Sequence, residues 1–224
     1  MSVSRPALRS EIKLRERAYD EFTHHLLQSR LKPGQFVSQR ELVALTGFPL
    51  GAIRELIPRL ETEGLIVTVP QRGLQILPLD INLVRNAFQF RLILEREAIT
   101  SFAQTASDAV IERIEAAHQA IVASAREGVT DDIIAEAQQV DRAFHETIID
   151  ELDNDIISKA YRVNWIKVRL IRQNETSLDE ELVIPVMDEH LAIIAALKAR
   201  NASAAVKAAV AHIMNARARA LRLE

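Results

Sequence analysis

The chain has 224 residues, 48% of them hydrophobic, enough to bury a core in one large or two small domains. It contains no cysteine, which excludes disulfides, thiolate metal sites and cysteine nucleophiles, so any metal must be held by His and carboxylates. No run of about 18 apolar residues is long enough for a membrane span, and the start of the chain lacks the apolar core of a secretion signal; a cytoplasmic protein with no membrane partner is expected. The net charge of -3 argues weakly against nucleic-acid binding until its distribution is considered. Residues 1–75 carry 11 Lys and Arg against 8 Asp and Glu, whereas residues 76–224 carry 17 against 23. A mildly basic head precedes an acidic body.

Residues 1–10, polar and without periodic apolar positions, read as a mobile arm. From Glu11 to about Arg30, Leu14, Ala18, Phe22, Leu26 and Leu27 recur at helical spacing. A Pro33-Gly34 turn and a cap at Ser38 lead into a short helix through Leu42, Val43 and Leu45 that stops at Gly47. A third helix opens near Pro49 and ends before Gly64, with Pro58 inside it and a local kink expected there. Leu65 to Val69 and Leu74 to Leu77 are rich in β-branched residues and bracket Pro70-Gln71-Arg72-Gly73, a hairpin pattern. After Asp80, Gly and Pro almost vanish, and six helices are expected near 81–105, 107–126, 131–151, 153–173, 180–199 and 201–222, with breaks at Ser107, Gly128, Asp153, Thr176-Ser177 and Asn201. The expected fold is mainly α: a winged helix-turn-helix over 11–78, then an all-helical antiparallel bundle of about six helices over 79–224.

In a helix-turn-helix the second helix of the pair lies in the major groove. That helix carries Arg54 and Arg59, the one before it begins with Gln39 and Arg40, and the wing tip presents Arg72 beside Gly73. These six residues are the candidate contacts to double-stranded operator DNA. The segment "LKPGQFVSQRELVALTGFPLGAIRELIPRLETEGLIVTVPQRGLQI" resembles the head of GntR-family regulators over roughly 12–77. That resemblance implies DNA contacts at Arg40, Arg54, Arg72 and Gly73. Where many members carry Ser/Thr-Arg after the glycine, this chain has Pro49-Leu50-Gly51, so one expected arginine contact is absent.

In the body, Ile134, Ala137, Asp141, Phe144, His145, Ile148 and Leu152 follow one buried helical stripe. Asp141 and His145 are four apart and stand on the same face, as two ligands of one ion must. His190 and His212 lie on apolar faces of later helices, and burying a carboxylate and three imidazoles without partners is costly. A shared divalent ion resolves that cost. Taken singly, each of these histidines also reads as a hydrogen-bonded core residue, and His24, His25 and His118 are read as surface or ordinary helix histidines. The body resembles the FCD sensor domain of the FadR branch, with "DRAFH", "EHLAIIAAL" and "AHIMNAR" as its hallmark; the resemblance implies a divalent cation at Asp141, His145, His190 and His212, and a helix count like that of the VanR-like subgroup. One oxygen and three nitrogens suit Zn, Ni, Fe, Co or Mn, and ligand softness does not choose among them; zinc is the first expectation.

Arg91 is a candidate for clamping the carboxylate of a small acid effector, or else a surface ion pair with Glu95. Asn164, Arg162 and Arg169 are further cavity candidates. The functional expectation is a homodimeric regulator, a repressor, controlled by that effector, and no enzyme. A metal-dependent enzyme using the same Asp/His site, or a purely structural ion, are the alternatives.

Overall fold

The computed structural model describes residues 5–173, 178 and 180–221. The chain divides into two compact units, Met1–Asp80 and Ile81–Glu224. The first contains helices α1 (Arg5–Leu27), α2 (Gln39–Thr46) and α3 (Leu50–Thr62), with strands β1 (Phe36–Val37), β2 (Ile66–Val69) and β3 (Gly73–Ile76). The strands form an antiparallel sheet in the order β1-β3-β2. Residues 5–10, read from sequence as an arm, are helical; Pro6 sits in the first turn, where its missing N–H costs nothing. At the other end Ser29 has a positive φ of 56°, and the His25 carbonyl accepts from the N–H groups of both Arg30 and Leu31, which closes α1.

Each turn of the head has a local cause. Ser38 and Glu41 form a reciprocal capping box at the start of α2, and Gly47, left-handed at φ 73°, ends it. Pro49 is the residue before α3, and the helix continues through Pro58 to Thr62. The wing turns at Val69–Arg72, where Pro70 precedes Gln71 at φ 63° and the Arg72 N–H reaches the Val69 carbonyl, the pattern of a type II turn. Strand β1 carries no sequence signal of its own. It is held by pairing of Phe36 and Val37 with Gln75 and Leu74. Ala18, Phe22 and Leu26 of α1 are buried with Leu42, Ile53, Leu56, Leu60, Leu65, Leu74 and Ile76, and this is the core of the head.

The second unit consists of α4 (Ile81–Thr105), α5 (Asp108–Glu127), α6 (Asp131–Asp150), α7 (Asp155–Gln173), α8 (Val183–Lys198) and α9 (Ala202–Leu221). Ser107 and Thr130 cap α5 and α6, while Asn154 and Asn201 accept from N–H groups in the first turns of α7 and α9. The expected break at Thr176-Ser177 lies outside the described residues. Helix α4 packs on α9, α6 and α7; α5 packs on α8 and α6; α8 packs on α9. Phe102, Phe144, Ile148, Tyr161, Ile193, Ile194 and Leu197 form the main core, and Ile121, Val122, Ala137, Val186 and Met187 a second one. Among the described residues no helix is long and apolar enough to cross a membrane.

Candidate functional site

On the head, the Arg54 Nε donates to Gln39 Oε1 at 3.3 Å, so the first turn of α2 and the recognition helix α3 meet through these two side chains. Phe36, three residues before Gln39, carries the Arg72 guanidinium 4.1 Å over its ring. Arg54 with Gln39 and Arg72 with Phe36 are thus two separate pairs, one at the recognition helix and one at the wing tip, and Arg40 is exposed in the first turn of α2. Gly73 has a backbone reason to be glycine: its φ is 96°, and a Cβ there would stand 3.0 Å from the Val37 carbonyl oxygen of the neighbouring strand. Arg59 is placed differently from Arg54, about 140° further around α3. It lies 3.6 Å over the Tyr19 ring and pairs with Glu63 at 3.0 Å and Glu16 at 3.4 Å, which ties α3 to α1.

In the helical unit Asp141, His145, His190 and His212 are all buried and offer one ligand atom each within 4.8 Å of one another. Proton positions follow from the hydrogen-bond partners. His212 Nδ1 lies 2.7 Å from Glu189 Oε2; the carboxylate only accepts, so the nitrogen carries the hydrogen. Burial, partly opposed by Glu189, lowers the His212 pKa to about 4, and the neutral ring keeps its lone pair on Nε2. Burial likewise works against the Glu189 charge, but hydrogen bonds from His212 and Asn215 outweigh it and hold the carboxyl at about 2.

His145 Nδ1 lies 2.9 Å from Glu95 Oε2, again a donor to a carboxylate. Arg91 Nη2 stands 3.0 Å from His145 Nε2 and 3.4 Å from Nδ1. Near-equal distances to both nitrogens of one ring place the guanidinium over the imidazole face rather than in line with a lone pair. With its Nδ1 hydrogen directed at Glu95, the His145 ring leaves Nε2 as the atom that could face an ion. His190 completes the set through His118, whose Nε2 lies 3.1 Å from His190 Nδ1. His118 Nδ1 lies 2.8 Å from the Ile114 carbonyl and donates to it, so its Nε2 accepts from His190. Burial pushes both rings below the ordinary imidazole range. The His190 lone pair therefore also sits on Nε2, 3.2 Å from the Nε2 of His212.

Two neutral buried imidazoles facing each other lone pair to lone pair repel unless a cation lies between them. The 3.2 Å separation is close to what two nitrogens adopt when each is about 2.0–2.1 Å from one ion. The donor set of one carboxylate and three imidazoles fits a divalent metal.

A model of the FCD domain matches residues 86–215, more than half of the chain, and one of the gntR family of bacterial regulatory proteins matches residues 14–76. The chain belongs to the FadR-type GntR regulators. It is 24% identical over 182 residues to the Nta operon transcriptional regulator of Aminobacter aminovorans, covering 81% of this chain and 82% of that protein. Its fold is similar to that of E. coli McbR/YncC, with a TM-score of 0.77 at 15% identity over 93% of this chain and 97% of that one. A protein of Rhodococcus sp. RHA1 described as a GntR transcriptional regulator gives 0.75 at 16% identity, over 94% and 98% of the two chains.

For a GntR regulator with an FCD domain, DNA binding by the head and effector binding by the bundle are the family's two tasks, and the candidate residues sort accordingly. Arg91 is not a surface residue: Arg91 and Glu95 are buried, with Nε to Oε1 at 2.6 Å. Burial works against both charges, but each is held charged by the other, and the Tyr161 hydroxyl donates to Glu95 at 2.7 Å. Asn164 is buried and donates to the Ala87 carbonyl of α4 at 3.1 Å, a link between helices. Arg162 reaches Asp150 at 2.6 Å on the half-exposed flank of α7. Arg169 donates to Gln138 of α6, three residues before Asp141. Of the four, Arg91 touches a member of the quartet, His145.

Sequence reasoning missed His118, Glu95 and Glu189 as partners of the quartet. His118 sits four residues after Ile114 on the buried face of α5 and is only 1% exposed; a histidine inside an apolar stripe was the available signal.

Proposed function

We propose that this regulator is a homodimeric repressor that holds a divalent cation, zinc first, at Asp141, His145, His190 and His212, and that a small carboxylate bound beside that centre releases it from its operator. The observation that carries the reading is the convergence of three buried imidazoles and a carboxylate, above all the Nε2 atoms of His190 and His212 facing each other at 3.2 Å. A bound divalent ion supplies a Lewis-acidic charge to which a carboxylate oxygen can bind. The chain's own residues hold that ion's place: Glu95 and Glu189 orient His145 and His212, and Asp141 contributes the one anionic ligand.

Arg91, against His145, adds positive charge beside the centre and suits an acid better than a neutral ligand, and Arg169 is a further candidate for the acid's second oxygen. Asn164 and Arg162, committed to Ala87 and Asp150, contribute to the scaffold. On the head, Arg40, Arg54 and Arg72 meet DNA, with Gln39 steadying Arg54, and Gly73 lets the wing pass close to β1. Two heads are needed because one presents few base contacts, and a dimer reads two half-sites. Release of DNA then requires the acid to bind one arrangement of the two heads more tightly than another.

Elemental analysis of the purified protein, with a thermal-shift screen of small carboxylates in the presence and absence of chelator, tests the centre. The expected result is about one divalent ion per chain, lost in His190→Ala, and an acid whose stabilisation disappears with the metal. Mobility shift of the protein's own promoter fragment tests the rest: retardation at moderate salt, reversed by the same acid. A protein that fails to retard that fragment, or a His190→Ala variant that keeps its metal, overturns the reading.

A further inference from the structure

We propose that His118 is a positioning residue of the metal centre: it fixes which nitrogen of His190 carries the hydrogen and so aims the His190 lone pair at the other ligands. The proposal rests on the quartet being a metal site, but the proton relay it describes is a property of the protein itself.

The relay is directional because its first member can only accept. The Ile114 carbonyl takes the hydrogen of His118 Nδ1 at 2.8 Å. That leaves His118 Nε2 as an acceptor, 3.1 Å from His190 Nδ1, which must donate. His190 is fully buried, and its remaining nitrogen is the one that faces His212. Without an acceptor on the Nδ1 side, the ring can place its hydrogen on Nε2 instead, and a protonated Nε2 cannot bind a metal.

Packing keeps the relay in line. Phe144 meets the His118 ring edge-on with centroids 5.2 Å apart and lies 4.5 Å from the His190 ring, so both imidazoles turn against one aromatic wall. The arrangement differs from that at the other two histidines. His145 and His212 are oriented by the carboxylates of Glu95 and Glu189, whereas His190 is oriented by a neutral imidazole. A third carboxylate would add negative charge to a core that already holds those two and Asp141. The imidazole gives orientation without it.

The test uses the full chain and two substitutions. His118→Phe keeps the ring's bulk and removes the acceptor, while His118→Gln offers an amide oxygen in place of Nε2. Zinc affinity, measured by competition with a chromophoric chelator, should fall about 10–100-fold in His118→Phe and return to within about threefold of the parent in His118→Gln, the range expected for an outer partner of a metal-bound histidine. Long-range 15N imidazole spectra of the metal-stripped protein should show His190 protonated on Nδ1, and protonated at least partly on Nε2 in His118→Phe.

Parent-like zinc affinity in His118→Phe overturns the proposal, as does an Nε2-protonated His190 in the parent. If the parent binds no divalent ion, the quartet reading fails by itself, and the spectra still decide the relay. If His118→Phe does not fold, the parent spectrum and His118→Gln carry the decision: a parent spectrum with His190 protonated on Nδ1, and near-parent affinity in the Gln variant, uphold it.

Discussion

Replacing Glu95 by Gln should destabilise the helical unit far more than an ordinary surface change, because Glu95 satisfies three buried groups at once. Its oxygens lie 2.6 Å from Arg91 Nε, 2.7 Å from Tyr161 Oη and 2.9 Å from His145 Nδ1. The Arg91 and Glu95 side chains are only 5% and 2% exposed, so solvent cannot take over when the charge is removed. Leaving one member of such a pair buried and unneutralised costs about 3–5 kcal/mol. At about 2–4 °C per kcal/mol for a chain of this size, the bundle's melting transition should fall by about 6–20 °C. Calorimetry of the full chain at neutral pH measures it.

The pH dependence of this effect has a definite sign. Burial pushes the Glu95 carboxyl up, but Arg91 and then His145 outweigh it and hold its pKa well below the usual carboxylate range. Its stabilisation is therefore complete above the unfolded value of about 4.3 and is lost as the pH falls below that towards the folded value. The gap between parent and Glu95→Gln should be constant near neutrality and shrink in acid. A shift under about 2 °C at pH 7 would refute the account of Glu95 as a buried counter-ion.

Other outcomes follow from the same geometry. Chelation should lower the melting temperature of the metal-loaded protein, since an ion present at 100 times its dissociation constant stabilises by about 2.7 kcal/mol, and calorimetry with and without chelator reads the difference. Arg54→Ala should weaken operator binding by about 1–3 kcal/mol in a mobility-shift titration. Arg59→Ala should leave operator affinity nearly unchanged and lower the stability of the head by about 1–2 kcal/mol, because its contacts are with Tyr19, Glu63 and Glu16. Gly73→Ala should destabilise the head by about 1–3 kcal/mol, since it combines a positive φ with a close approach to Val37; thermal melting of the full chain detects it.

The helices of the body were readable because their ends carry chemistry. Ser107 and Asn201 bond to the N–H groups that follow them, and Gly128 ends α5. The spacing of Asp141 and His145 was readable for the same reason, since four residues on a helix decide a shared face. Strand β1 was not, because two residues have no period and their pairing partners lie nearly forty positions away. The helix over residues 5–10 was missed because no apolar stripe marks it. The two arginines of α3 looked alike in sequence, and only the position of α1 separates Arg59, stacked on Tyr19, from Arg54. Glu95 and His118 were invisible as partners for a further reason: each lies in an ordinary helical stripe, and its meaning depends on which atom of another helix faces it.

That dependence extends to the whole bundle. The polar network takes Arg91 and Glu95 from α4, His118 from α5, Asp141 and His145 from α6, Tyr161 from α7, Glu189 and His190 from α8, and His212 from α9, one or two groups from each of the six helices. Such a network is costly when partly satisfied and stiffening when complete. Substitutions within it should therefore not add: with Glu95 already Gln, removing the Tyr161 hydroxyl takes away a partner whose value came from the carboxylate charge. The double variant Glu95→Gln, Tyr161→Phe should lose about 0.5–3 kcal/mol less than the sum of its single variants, the coupling range for residues in direct contact. Strict additivity would mean that the three groups around Glu95 act separately, and a change at the metal centre would then have no route through Glu95 to α4 and α7.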